Sequence, residues 1–204
     1  MPHNALQKIP LCLNRTELTR VIQIGNYLNA PNDEVLAYAI YFTAEIVRAT
    51  RMGCKIFIEE ERPEHAFMSV ENRDGSQMKR VPFCSHIDQH NDSCQELGAR
   101  KERSTKNLLQ LLRRENYLVM SLKGDNAERF RELQTVMTDA HANSTRPGRA
   151  EIVEHATLLL WRVIDGLLGE QRVEIGPTPE GMVTLWYVDQ DGDPEIADRL
   201  YWVG

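Results

Sequence analysis

The chain repeats itself, and that narrows its possible folds more than any other feature. Glu34-Val35-Leu36-Ala37-Tyr38-Ala39 matches Glu151-Ile152-Val153-Glu154-His155-Ala156 in the pattern E-[VI]-[LV]-x-[YH]-A, at an offset of 117 residues. The match continues with Ile46-Val47 against Val163-Ile164. After a one-residue slip, Gly53 falls against Gly169 and Pro63-Glu64 against Pro179-Glu180. Two copies of one unit are the simplest account. A helical pattern shared by chance is the other.

In the first copy Ile9, Leu11 and Leu13 alternate, which predicts a short strand with one apolar face. Asn14 and Glu17 have capping-box spacing, and Leu18, Val21, Ile22 and Leu28 follow at helical intervals. Asn29-Ala30-Pro31-Asn32 breaks that helix. Asn32 is the candidate cap of the next, with Asp33 and Glu34 in its first turn. Its apolar stripe runs from Val35 to Val47, and Gly53 is the expected stop. Lys55–Glu60 and Ala66–Glu71 then read as a hairpin.

The second copy keeps the order. Leu118, Met120 and Leu122 alternate, Asp125 and Glu128 have capping-box spacing, and Phe130, Leu133, Val136 and Met137 mark a helix. A longer break, His141 to Gly148, precedes a second helix from Ile152 to Leu167 that stops at Gly169. Arg172–Ile175 and Met182–Val188 predict the second hairpin, and Ile196–Val203 a short tail. The domain boundaries that follow are 1–71 for the first unit, 72–116 for a linker and 117–204 for the second unit.

A short strand, a helix, a turn and a longer helix resemble the ribbon-helix-helix family of the Arc and Met repressors, over most of residues 8–60 and 117–176. The resemblance implies an α+β, mainly helical chain. It would consist of two strand-helix-helix units, each followed by a β-hairpin, forming a pseudo-dimer within one chain. It also implies a paired ribbon in the DNA major groove and helix N-termini on phosphates. Carried over residue by residue, the reading face would hold Lys8, Cys12 and Asn14 from one strand and Tyr117, Ser121 and Lys123 from the other. Pro10 and Val119 share that face, which is therefore less polar than groove readers usually are. The phosphate clamps are unequal. Asp33 and Glu34 at the first would repel phosphate and read as an ordinary helix start. Ser144, Thr145, Arg146 and Arg149 at the second suit either an anion or an ordinary cap.

Charge qualifies this expectation. Lys and Arg number 24 against 30 Asp and Glu, a net charge of −6, which argues against strong non-specific binding to nucleic acid. Residues 72–116 carry nine basic and six acidic side chains, a local balance of +3. Within them Cys84, His86, His90 and Cys94 form C-x-H-x3-H-x3-C, a ligand set that could close on zinc, the one cofactor the sequence suggests. A polar loop is the plainer reading of the same span. No nucleophile elbow, phosphate loop or dinucleotide fingerprint is present, so no enzyme is expected.

The functional expectation is a sequence-specific DNA-binding regulator or a plasmid or mobile-element accessory factor, with double-stranded DNA as partner and a homodimer as a further assembly. The alternative is an antitoxin-like or adaptor module that binds protein instead. The chain has no run of apolar residues long enough to span a membrane, and Met1–Glu17 lacks the apolar core of a signal peptide. With four scattered cysteines, the expected compartment is the reducing cytoplasm.

Overall fold

A computed structural model describes residues 7–62, 65–83, 117–122, 124–140, 148–179 and 182–200. In chain order these form β1 (Gln7–Cys12), α1 (Arg15–Leu28), α2 (Asn32–Arg51), β2 (Lys55–Arg62), β3 (His65–Glu71), β4 (Gln77–Pro82) and β5 (Tyr117–Leu122). They continue as α3 (Asp125–Ala140), α4 (Arg149–Leu168), β6 (Arg172–Pro177), β7 (Val183–Val188) and β8 (Pro194–Leu200).

β1 and β5 pair antiparallel as a two-stranded ribbon, with Ile9 opposite Met120 and Leu11 opposite Leu118. The other strands form one six-stranded antiparallel sheet in the order β4-β3-β2-β6-β7-β8. The mainly helical pseudo-dimer of two strand-helix-helix units, each with its own hairpin, is thereby overturned. A hairpin treated as closed still has an edge of unpaired N–H and C=O groups. β2 and β6 satisfy theirs on each other, with Ile56 opposite Ile175 and Ile58 opposite Val173. Two segments read as connection and tail also join the sheet: Gln77–Pro82 pairs with β3, and Pro194–Leu200 with β7.

The sheet turns Ile56, Ile58, Met68, Val173, Ile175, Val183 and Leu185 inward, all buried in one core with the helices. α2 is the centre of that core. Every residue from Tyr38 to Ala44 is buried, so the helix is covered all round rather than along one stripe. α4 also packs on β6, and Gly166 permits the close approach: a Cβ there would lie 2.7 Å from both the Tyr187 ring and Val173 Cγ2.

Helix starts follow local chemistry. Asn14 caps α1: its side chain accepts from the Glu17 N–H at 2.9 Å, and the Glu17 carboxylate accepts from the Asn14 N–H at 2.6 Å. Asn32 is the first residue of α2, with Pro31 in the cap position, because the fixed φ of proline suits a helix start. Asp125 likewise lies inside α3, preceded by Gly124 at φ +49°. Gly53 stops α2 at φ +76°, whereas after α4 the left-handed residue is Glu170, at φ +57°, and not Gly169.

Candidate nucleic-acid interface

The ribbon stands apart from the six-stranded sheet. Its inner face is set by Ile9, Leu11, Met120 and Leu122, with Leu13 just beyond, all buried. Strand alternation puts the intervening positions on the opposite face. There the register sets Lys8 across from Ser121, Pro10 across from Val119 and Cys12 across from Tyr117. Pro10 and Cys12 are exposed, and the Cys12 thiol is free. Pro10 lacks an N–H donor, which is tolerable because both strands of a two-stranded ribbon are edges.

Asn14 is exposed at the end of β1, but its Oδ1 is held by the Glu17 N–H. Its Nδ2 hydrogens and the second Oδ1 lone pair remain to read a neighbour. Arg149 is the exposed first residue of α4, following Gly148. Neither α4 nor α2 has a side-chain cap, so the first N–H groups of both helices are not claimed by a capping side chain. Asp33 and Glu34 occupy the first turn of α2 and Glu151 that of α4. The structure therefore brings Lys8, Cys12, Tyr117 and Ser121 together on one ribbon, with Asn14 at its end. Lys123, Ser144, Thr145 and Arg146 lie outside the described residues, as do Cys84, His86, His90 and Cys94 of the zinc pattern.

A second feature has no single-segment signature in the sequence. α1 lies against α4, and α3 lies against α2. The α2–α3 contact is closed by charge. Arg48 donates to Glu132 from Nη2 at 2.6 Å, Arg129 Nη2 is 3.9 Å from Glu45 Oε1, and Lys79 Nζ is 3.4 Å from Glu45 Oε2. Arg129 also lies over the Tyr41 ring, 4.7 Å from its centroid. Burial is the main cause that raises the Tyr41 hydroxyl above its ordinary pKa, with the Glu45 charge adding to it. At the α1–α4 contact a groove of about 410 Å³ opens instead, lined by Arg15, Arg20, Trp161 and Arg162 among others. These residues are split between segments about 140 positions apart, so no local pattern reveals them.

No family model, curated protein or solved structure matches the chain. Among the described residues no helix is long and apolar enough to cross a membrane.

Proposed function

We propose that the chain binds double-stranded DNA, laying the β1–β5 ribbon in the major groove. The observation that carries this reading is a free-standing antiparallel ribbon with one face buried on the helices and Pro10 and Cys12 exposed on the other. A two-stranded ribbon fits the width of the B-form major groove. The likeness to ribbon-helix-helix repressors enters only through this ribbon. Arg149, at the uncapped start of α4, is the described side chain best suited to a phosphate. Regulation of transcription or service to a plasmid or mobile element are the roles such binding would serve.

One observation favours a second reading, a protein partner docking on the same ribbon. Asp33 and Glu34 stand at the start of α2, and the chain carries a net charge of −6, both unfavourable near phosphate. Fluorescence anisotropy of the full chain with mixed-sequence duplexes, across a salt series, separates the two. DNA binding predicts affinity that falls with salt, and a slope reduced by about 1 in Arg149→Ala. An absence of DNA affinity at low salt would leave the protein-partner reading.

A further inference from the structure

Both helix contacts carry arginines, but only at one do the two helices themselves supply the paired acids. Where α3 meets α2, cations find acids: Arg48 has Glu132 at 2.6 Å and Arg129 has Glu45 at 3.9 Å, with Arg129 Nε left without a hydrogen bond. Where α1 meets α4, the described residues lining the groove include Arg15, Arg20 and Arg162 and no acid. Arg20 Nη1 is buried and has no hydrogen-bond partner among the described residues. Arg162 is ion-paired with Asp198 of β8 at 3.6 Å, closer than Arg129 is to Glu45, but its buried Nε makes no hydrogen bond. A buried guanidinium N–H without an acceptor is costly even where the rest of the side chain reaches water, as that of Arg162 does at 40% exposure, and gathering several cations adds repulsion. An anion between the two helices would relieve both.

We propose that this groove binds a small phosphate-bearing anion. Guanidinium forks match phosphate oxygens in pairs. Thr16 and Thr19 add hydroxyls to the same lining. Thr19 already donates to the Arg15 carbonyl at 2.8 Å, so toward a ligand it serves through its remaining lone pairs, as an acceptor for a protonated phosphate oxygen. Trp161 supplies an aromatic wall, and a volume of about 410 Å³ accommodates a nucleotide as well as pyrophosphate. The proposal is independent of the DNA reading, because it uses helix side chains and no ribbon position.

The test is thermal unfolding and tryptophan fluorescence of the full chain with pyrophosphate, with ATP and with sodium chloride at matched ionic strength. Pyrophosphate or ATP at saturation should raise Tm by on the order of 5 °C, where chloride does not. A response to both anions assigns the phosphate as the ligand group. A response to ATP alone adds a contact between its base and Trp161. Arg20→Glu removes a cation from the groove that Arg162 also lines and puts an acid in its place. It should leave the fold intact by circular dichroism and weaken the response by about tenfold or more, and Arg162→Gln should do the same. No stabilisation by either anion, or an equal response in wild type and both variants, would overturn the site.

Discussion

Ile56 of β2 stands directly across from Ile175 of β6, and both side chains are fully buried. This pairing joins segments separated by more than half the chain and makes one sheet of two hairpins. It also gives the α2 and α4 ends a shared floor, since both helices pack on β2 and β6.

Ile175→Ala removes buried methyl groups at that junction and leaves a cavity. It should cost about 2–5 kcal/mol and lower Tm by roughly 2–4 °C for each kcal/mol. If the hairpins share one core, a strand-sensitive probe and a helix-sensitive probe should report the same melting midpoint in the variant. Two separate transitions would show that the hairpins melt independently.

Gly166→Ala tests the approach of α4 to the sheet. Alanine is the better helix former by about 1 kcal/mol, so an open site would be stabilised. Here the new methyl meets the Tyr187 ring and Val173 Cγ2 at 2.7 Å, tighter than carbon atoms tolerate. Overpacking of about 1–3 kcal/mol should win, giving a net loss of stability in chemical denaturation.

Arg48 and Glu132 form the best-aligned ion pair at the α2–α3 contact, with Arg48 Nε and Nη2 both donating to the carboxylate. That bond is the leading cause that raises the Arg48 guanidinium above its ordinary pKa. The Arg48 side chain is 43% exposed, so solvent screens the pair. A double-mutant cycle with Arg48→Ala and Glu132→Ala should give a coupling of about 0.2–1 kcal/mol that shrinks in high salt. A coupling that ignores salt would contradict this assignment.

Tyr187 gives the alkaline limit of stability. Its hydroxyl donates to the Arg162 carbonyl at 2.6 Å, linking β7 to α4. Burial first, then the nearby Asp165 charge, raises its pKa from 10.0 to about 12. The unfolded chain therefore releases this proton before the folded one does. The stabilisation is complete below pH 10 and is lost as pH rises toward about 12. The loss should be on the order of 2 kcal/mol, less where solvent screens the site. Tyr187→Phe should shrink that fall between the two pH values, and phenolate absorbance should lose one late-titrating tyrosine, leaving Tyr41 as another raised above its ordinary pKa.

The helices and the ribbon were legible because their information is local. The alternation of Ile9, Leu11 and Leu13 predicts a strand with one buried face. The pair Asn14 and Glu17 predicts the α1 capping box, and the stripe from Val35 to Val47 predicts α2. Even the pairing of β1 with β5 followed from the repeat, since a lone strand must find a backbone partner. The sheet was not legible in this way. Strand β4 is exposed along nearly its whole length and β8 along its first half, so neither shows a clear apolar alternation. Their place comes from hydrogen bonds to β3 and β7, which depend on backbone rather than on side-chain type. The junction of β2 with β6 and the arginine groove between α1 and α4 are likewise properties of distant residues brought together. Side-chain periodicity specifies which face of an element is buried. What that face is buried against, and which charges end up facing one another, is decided only when the elements pack.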